Sequence, residues 1–288
     1  MARPTLSICI VNWNTRDYLR ECLQSLRDTS ADLAPQIIVV DNASSDASAE
    51  MVSADFPDVT LIANDENFGY AAANNQALDL ATGELKLLLN PDVVFPDGAL
   101  QGLIDAIERH PQAGALAPRL VHPDGRGQLS CRSFPDPEVI IYEFLGLSRL
   151  FSRSRRFGRY RMGWWGHDEE RAVDQPMASV LLLRAATLDE TGHFDEQFPI
   201  FFNDVDLCRR MWDAGWEVWF TPEVTIVHHV GASTRQVRAA MVRESHASLL
   251  QYYEKHYRGR VGWLTYVTAR ALIRLGGAVR YAIARLRS

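Results

Sequence analysis

The feature that most constrains the fold is the short apolar run Glu84–Asp92 (ELKLLLNPD), which a proline ends abruptly. Its four leucines predict a strand that is buried on both faces. Pro91 cannot donate a hydrogen bond to a neighbouring strand, so the strand ends there and Asp92 is the first charge after it. In an open α/β sheet, ligands bind beyond the carboxyl ends of the strands. Asp92 is therefore suited to hold a divalent cation and, through it, a phosphate, unless it is only a turn residue.

Strand and helix patterns alternate over the first third of the chain. Apolar β-rich runs cover 6–11, 37–40 and 59–63, whereas apolar residues at helical spacing cover 15–27 and 70–80. This alternation predicts βαβ units, so we expect an α/β fold with a mostly parallel, Rossmann-like sheet flanked by helices. Neither G-x-G-x-x-G nor a P-loop sequence follows the first strand, which leaves dinucleotide and P-loop functions without specific support.

Four successive predicted strands end in asparagine or aspartate. A single residue of this kind is more often a turn former than a ligand contact. Because the carboxyl ends of parallel strands meet at one sheet edge, four such ends together favour a binding site. The residues concerned are Asn12 and Asn14, Asp41 and Asn42, Asn64 and Asn67, and Asn90 and Asp92.

Two further polar residues stand at element ends in the second half of the chain. Asp204 opens a predicted helix, where the positive end of the helix dipole favours an ionised carboxylate. We therefore expect Asp204 to be charged and able to accept a proton, although a plain N-cap aspartate has the same sequence context. His228 follows the predicted strand Val224–Val227, where it could be a metal ligand or a structural histidine.

Basic residues are concentrated in two stretches of an otherwise acidic chain. The formal net charge is −6, yet Lys255–Ser288 holds eight of the 30 Lys/Arg and no acid. The segment Phe144–Gly166 likewise holds six arginines and no acid. Both stretches contain aromatic residues, so we expect them to meet an anionic surface or ligand, and not nucleic acid, rather than to form an ordinary solvated face.

The tail also carries an apolar pattern at helical spacing. Its members are Leu264, Val267, Ala271, Leu275, Ala278 and Ile283, with Trp263, Tyr266 and Tyr281 as residues suited to a headgroup interface. Gly276-Gly277 interrupts the pattern, so we expect two short amphipathic helices. They either lie on an anionic membrane surface or pack on the preceding domain.

Cysteine usage and hydropathy indicate an intracellular compartment. The four cysteines show neither metal-ligand nor disulfide spacing, which predicts reduced thiols. The chain enters its first strand without a signal-peptide pattern, and no window reaches 18 uninterrupted apolar residues. We therefore expect a cytoplasmic protein that is peripheral on the inner face of the cell membrane.

Seven motifs in a fixed order carry a resemblance to a known family. They are IVNWN (10–14), VVDNASSD (39–46), NFGYAAANN (67–75), LLLNPD (87–92), HFDEQF (193–198), NDVDLCRR (203–210) and HHVGAS (228–233). With them the chain resembles the family 2 inverting glycosyltransferases of GT-A fold, in particular the bacterial rhamnosyltransferase-like branch. The resemblance covers about residues 5–235 and implies a GT-A domain over 1–235, with a nucleotide-sugar half (1–118) and an acceptor half (119–235). The basic helical segment 236–288 is then an appendage.

The resemblance also implies roles for individual residues. Asp204 would be the catalytic base, and Asp92 with His228 would bind Mg²⁺ or Mn²⁺. The nucleotide-sugar would contact Asn12, Asn14, Asp41, Asn67, Gly69, Asn90 and Asp92, and the acceptor would lie near Asp206, Arg155 and Arg156. The chain departs from the family pattern at Asn203, where Glu is usual, and at Ala178, where many relatives have Gly.

The implied function is inverting transfer of a sugar, with L-rhamnose as the first candidate, from a dTDP- or UDP-sugar. The acceptor would be a bacterial glycan or a polyprenyl-diphosphate-linked glycan at an anionic membrane surface. The alternative is a catalytically weak, membrane-associated subunit that binds nucleotide-sugar, which Asn90 and Asn203 favour. A nucleotidyltransferase would need a glycine-rich basic loop after the first strand, and Asn12-Trp13-Asn14 does not supply one.

Overall fold

The predicted strand around Leu87 is an inner strand of one large sheet. In the computed structural model, which describes residues 5–30, 32–229 and 238–286, β4 (Leu85–Leu89) pairs in parallel with β1 (Leu6–Asn12). On its other side β4 pairs antiparallel with β11 (Val180–Arg184). Leu87, Leu88 and Leu89 are buried, as the continuous apolar run predicts for a strand covered on both faces.

The sheet has a parallel half and a mixed half. Its strand order is β3-β2-β1-β4-β11-β6-β12-β5, with β7 beside β6 and β9 beside β12. Pairing is parallel from β3 to β4, because each of these strands is connected to the next through a helix. The other strands of this sheet are β2 (Gln36–Asp41), β3 (Thr60–Ala63), β5 (Val93–Val94), β6 (Ala113–Val121), β7 (Gly127–Gln128), β9 (Arg171–Ala172) and β12 (Glu217–His228). Two further strands, β8 (Cys131–Arg132) and β10 (Gln175–Pro176), pair antiparallel in a separate two-stranded sheet.

Helices cover both faces of this sheet and give the chain two large apolar clusters, one on each side. The helical spacing predicted over 15–27 and 70–80 agrees with the first and third helices within two residues. The helices of the domain are α1 (Arg16–Thr29), α2 (Ser48–Asp55), α3 (Tyr70–Leu80), α4 (Ala99–Glu108), α5 (Pro137–Phe144), α6 (Leu147–Leu150), α7 (Ala185–Thr191) and α8 (Asn203–Asp213).

The C-terminal segment forms two helices, α9 (Arg238–Tyr257) and α10 (Trp263–Leu286). The prediction that Gly276-Gly277 separates two short helices is wrong, since α10 is continuous through both glycines. A Cβ at Gly277 would lie 3.0 Å from the His246 ring, so the glycine lets α10 pack closely against α9. None of the helices in the described ranges is long and apolar enough to cross a membrane.

A third apolar cluster joins α9 and α10 to the domain. Tyr252 and Tyr253 of α9 are fully buried beside Phe198 and Val205, and α10 adds Ala269 and Ile273. The predicted boundary between residues 235 and 236 lies outside the described residues. What the structure describes on its C-terminal side is packed into the domain.

A buried ionic cluster ties α8 to α9. The Asp206 carboxylate has no exposed surface and lies 2.8 Å from Arg210 Nε, 2.7 Å from Lys255 Nζ and 2.7 Å from His256 Nε2. Burial alone would raise the pKa of Asp206, but hydrogen bonds from His256, Lys255 and Arg210 and the charge of Arg210 lower it to about 2. The prediction that Asp206 faces the acceptor does not match this position, since its oxygens are occupied in holding α9.

We predict that Asp206→Asn lowers the free energy of unfolding by about 3–5 kcal/mol, because it removes the buried anion that the partly buried Arg210 and Lys255 share, although Lys255 keeps its contact to Asp195. Asp213→Asn is the control, since Asp213 pairs with Arg209 and Arg260 at a more exposed position. That change should cost less than about 1 kcal/mol. Urea unfolding at neutral pH measures both, and equal losses in the two variants would remove the special role of Asp206.

The same comparison has a pH dependence. The folded-state pKa of Asp206 lies below the value of about 4 for an unfolded aspartate. Its stabilisation is therefore present above about pH 4 and is lost as the pH falls toward 2. The stability difference between the wild type and Asp206→Asn should narrow over that interval.

Candidate active site

The ends of β1 and β2 are joined by a buried polar network. Asn12 Nδ2 donates to Asp41 Oδ2 at 2.8 Å, and the second Asp41 oxygen accepts from the Ser44 backbone at 2.9 Å. Asn14 lies in the left-handed backbone region (φ 52°), and its side-chain oxygen accepts from the Ser45 N–H at 2.8 Å. Asn12 and Asp41 are both buried, so they shape the loops of the site from below.

Above this network lies a cavity of about 390 Å³. Asn67 and Gly69, both predicted as donor contacts, line it together with Asn42, one of the predicted strand-end residues, and Met241, which the sequence did not indicate. Asn42 Nδ2 donates to Asn67 Oδ1 at 2.8 Å and to the Gly69 carbonyl at 3.1 Å, which fixes the loop before α3. Asn42 was visible as a strand-end residue, whereas Met241 comes from α9 and had no sequence signal. The lining consists of Val11, Trp13, Asn42, Asn67, Phe68, Gly69, Tyr70, Pro199, Ile200 and Met241.

Gly69 is required at its position for two reasons. Its φ is +86°, and a Cβ there would lie 2.9 Å from the Pro199 carbonyl oxygen. That carbonyl accepts the N–H groups of Tyr70 and Ala71, at 2.7 and 3.1 Å, and so satisfies the start of α3. The N-terminus of α3 is thus held by the loop before α8.

Tyr70 connects the end of β4 to the loop before β11. Its hydroxyl donates to Asn90 Oδ1 at 3.2 Å and lies 3.4 Å from the Ala178 carbonyl. Asn90 Nδ2 in turn donates to Ser179 Oγ at 3.2 Å, and its backbone N–H donates to the Ser179 carbonyl at 2.9 Å. Asn90, a predicted donor contact, therefore also fixes the strand end through its hydrogen bonds to Tyr70 and Ser179.

Asp92 and His228 meet at the end of β4, as the sequence predicts for a shared site. His228 Nε2 lies 3.4 Å from Asp92 Oδ1, and both side chains are buried. The other ring nitrogen, His228 Nδ1, is 2.9 Å from Gln128 Oε1, which fixes the orientation of the ring. The His229 N–H donates to the Asp92 carbonyl at 2.9 Å, so the strand ends are held together through the backbone.

These residues suit a divalent cation that is completed by a substrate. Within the parts of the chain that the structure describes, no group of three His, Cys, Asp or Glu side chains could hold a metal on its own. Mg²⁺ commonly binds through one or two carboxylates together with substrate phosphates and water. The Asp92 carboxylate and the oriented His228 imidazole, 3.4 Å apart, could supply the protein ligands of such a site.

Asp204 lies in the first turn of α8 and points toward the loop before β11. Its Oδ1 accepts from the Val205 N–H at 2.9 Å, and its Oδ2 is 3.4 Å from the Ala178 nitrogen. Burial raises the pKa of Asp204, and these backbone N–H groups only partly oppose the effect. The sequence led us to expect an aspartate stabilised as an anion by the helix N-terminus, whereas the structure gives one with an increased affinity for a proton.

Asn203 has a structural task that a glutamate could not perform. Its amide group donates to the carbonyls of Phe198 and Ile200, at 3.2 and 3.0 Å, and its oxygen accepts from the Asp204 N–H at 2.8 Å. A carboxylate has no donor for the two carbonyls. Phe202, just before it, adopts φ 66°, which turns the chain into α8. The departure from the family pattern therefore fixes the loop that carries Asp204.

The two arginines predicted on the acceptor side lie on the exposed loop after α6. Arg156 donates to the Tyr142 hydroxyl at 2.9 Å, and the Arg155 guanidinium lies 5.2 Å from the centre of the Trp164 ring. Their part in acceptor binding stays a prediction. The last residues of the HHVGAS motif, Val230 to Ser233, lie outside the described residues.

Comparison with known proteins shows similarity to glycosyltransferases. The profile of the family described as glycosyl transferase family 2 matches residues 7–167, more than half of the chain. A relative from Mycobacterium tuberculosis, named N-acetylglucosaminyl-diphospho-decaprenol L-rhamnosyltransferase, is 28% identical over 269 residues. That alignment covers 88% of this chain and 85% of the relative, so it includes the region of Asp204 and His228.

Solved structures share the fold at lower identity. The mannosyltransferase PcManGT from Pyrobaculum calidifontis, in complex with GDP-Man and Mn²⁺, aligns with a TM-score of 0.59 and 21% identity, covering 100% of this chain and 75% of its own. GalNAc-T7 with UDP, GalNAc and Mn²⁺ aligns with a TM-score of 0.58 and 14% identity, covering 79% of this chain and 44% of its own. These likenesses confirm the predicted GT-A fold.

Proposed function

The chain belongs to glycosyl transferase family 2, and we propose that it transfers a sugar, with inversion, from a nucleotide-sugar donor to a lipid-linked bacterial glycan. The observation that carries this proposal is the convergence of three features at one sheet edge. They are the cavity at Asn67 and Gly69, the Asp92–His228 pair and the carboxylate of Asp204. Tyr70 lines the cavity and hydrogen-bonds to Asn90, so donor cavity and strand end are adjacent.

The cavity suits the nucleotide part of a donor. Trp13 and Phe68 supply aromatic surface, which favours a base, and Asn42 and Asn67 supply amide groups for hydrogen bonds. Asp92 and His228 would hold Mg²⁺ or Mn²⁺ next to the diphosphate, and such an ion would neutralise charge on the leaving group. The Mn²⁺ in two proteins of the same fold supports this assignment.

Asp204 would act as the general base. Direct displacement at the anomeric carbon breaks the bond to the diphosphate while the acceptor oxygen forms the new bond and loses its proton. A base works best when its pKa approaches the working pH, and burial moves the pKa of Asp204 in that direction. Its fixed contacts to Val205 and Ala178 hold the carboxylate in one orientation.

The name of the mycobacterial relative supports a choice of substrates. It is an L-rhamnosyltransferase whose acceptor is N-acetylglucosaminyl-diphospho-decaprenol. We therefore propose L-rhamnose, carried by dTDP or UDP, as the sugar and a polyprenyl-diphosphate-linked glycan as the acceptor. The direct test incubates the pure protein with a panel of nucleotide-sugars, Mn²⁺ and this acceptor, and measures nucleotide diphosphate release. Release only without acceptor, or none with any donor, would contradict the proposal.

We predict that Asp204→Asn lowers the transfer rate by about 10²–10⁴-fold, because an amide cannot accept the proton. Donor affinity, measured by calorimetry, should stay within about twofold. In the wild type, kcat/KM should fall with decreasing pH through a pKa above the ordinary aspartate value of about 4, since only the ionised form is active. Transfer at nearly the wild-type rate in Asp204→Asn would assign the proton to another group.

We predict that Asp92→Asn weakens Mn²⁺-dependent binding of the nucleotide diphosphate by at least about tenfold, because a neutral amide is a poorer ligand for a hard cation. Binding without metal should change little. The control is Asp124→Asn, which removes one carboxylate charge from the exposed turn after β6. A change at Gln128 would not serve as a control, because Gln128 orients His228. Equal metal dependence in Asp92→Asn and the wild type would remove Asp92 from the metal site.

We further propose that α10 lies on the membrane. The apolar residues that the sequence predicts as a stripe are on the free side of the helix, with Leu264 at 72% exposure and Leu275 at 54%. The helix packs on the domain through other residues, among them Ala269 and Ile273. Exposed apolar side chains with Trp263 and Arg274 beside them favour an interfacial helix, and each basic residue near anionic lipid adds about 1 kcal/mol.

We predict that Leu264→Glu combined with Val267→Glu reduces binding to anionic vesicles by at least about tenfold, since apolar contacts become charged. The control is the double variant Thr265→Glu with Gln251→Glu. It adds the same charge at two exposed positions that do not belong to the stripe. Vesicle sedimentation at low and physiological salt measures binding. Equal binding by both double variants, or no preference of the wild type for anionic lipid, would contradict the membrane role.

A further inference from the structure

A second cavity, of about 500 Å³, lies between α5, α9 and α10. Its walls are largely apolar, with Val139 and Ile140 from α5, Leu249 from α9, and Leu272 and Ile273 from α10. This volume lies in the range of sites that bury small organic ligands. We call it the helix groove.

The helix groove opens onto the exposed apolar side of α10. Phe144, Leu275 and Val279 line the groove and are also 43%, 54% and 51% exposed. Leu275 belongs to the stripe that we assign to the membrane surface. A hydrocarbon chain could therefore pass from lipid into the groove without crossing water, which would be costly for it.

The helix groove is also adjacent to the catalytic helix. Phe202 lines it and precedes Asp204 by two residues, at the N-terminus of α8. Tyr160 lines it as well, and the charge of Asp204 is one of the causes, after burial, that raise the pKa of the Tyr160 hydroxyl. The groove thus connects the neighbourhood of the base with the apolar surface of α10.

The few charges on the groove are compatible with a chain that ends in an anion. Glu143 is the acid in its lining, and the Glu143 carboxylate lies 3.5 Å from Arg161, which offsets its charge. Arg280 also lines the groove and is exposed, so it is available to an anionic group. Apart from Ser245 and His246, the rest of the lining is mostly aliphatic or aromatic.

We propose that the helix groove binds the first isoprene units of the acceptor's polyprenyl chain and so positions the acceptor diphosphate beside Asp204. This inference rests on the proposed function, and it assigns the groove to the acceptor lipid rather than to a bulk membrane lipid. Only a chain attached to the acceptor has to extend from the base to the membrane face. The fit of the groove then selects lipid-linked over free acceptor.

Gly276 provides a sharp test, because it lines the groove and a Cβ there meets only Phe144, at 4.0 Å. Gly276→Phe should fill the groove without a backbone clash. The matched control is Ala282→Phe, at an exposed position on the same helix that belongs neither to the groove lining nor to the apolar stripe. The probes are inorganic diphosphate, geranyl diphosphate and farnesyl diphosphate, titrated by calorimetry without donor or vesicles.

In the wild type we expect affinity to rise with chain length, by at least about tenfold from diphosphate to farnesyl diphosphate. Gly276→Phe should lose that gain and Ala282→Phe should keep it. Because the assay contains no nucleotide-sugar, its result is independent of whether transfer occurs. Affinity without chain-length dependence, or the same loss in both variants, would overturn the proposal.

A second pair of variants tests the opposite wall. Ser245→Phe fills the groove from α9, with Ala247→Phe as the exposed control on the same helix. Thermal unfolding identifies any variant that does not fold. If one pair contains such a variant, the chain-length dependence is judged from the pair on the other helix. Dodecanoate is the last probe. If it binds as tightly as farnesyl diphosphate and is lost in the same variants, the groove takes membrane acyl chains and the acceptor assignment is wrong.

Discussion

Two aspartates on one helix turn, in opposite environments, are the constraint on which the rest of the molecule depends. Asp206 is buried among Arg210, Lys255 and His256, and these partners lower its pKa to about 2. Among the described residues, Asp204 accepts hydrogen bonds from backbone N–H groups alone, and burial raises its pKa. Neighbouring carboxylates whose environments separate their pKa values commonly divide the tasks of a site. Here one holds the C-terminal helices in place and the other is left able to take a proton.

Much of the donor side could be predicted from sequence because its information is local. Strand ends, a proline stop and asparagine-rich turns are read along a few residues, and parallel pairing brings them to one edge. Asp92 and His228 were predicted to share a site and lie 3.4 Å apart. The cavity residue Met241 could not be found in this way, because no pattern in α9 indicates that its first turn reaches the end of β1.

The predictions that failed depend on contacts between distant parts of the chain. Asp206 was predicted on the acceptor side, and no local pattern indicates that Lys255 and His256, about fifty positions away, enclose it. Gly276-Gly277 looked like a helix break, since glycine lowers helix propensity, but the cost is offset where a side chain would collide with His246. In both cases the deciding neighbour comes from α9, whose polar and apolar residues carry no clear periodicity of their own.

The helix α9 is therefore more than a connection to α10. Met241 lines the donor cavity, while Ser245 and Leu249 line the helix groove. These residues recur at a spacing of four, so they share one face of the helix, and the same helix continues to Lys255 and His256 at Asp206. A displacement of α9 would alter both cavities at once and the anchor next to Asp204. In the proposed function, the donor cavity, the acceptor groove and the base would therefore be coupled through a single helix, and contact of α10 with a membrane would act on that same element.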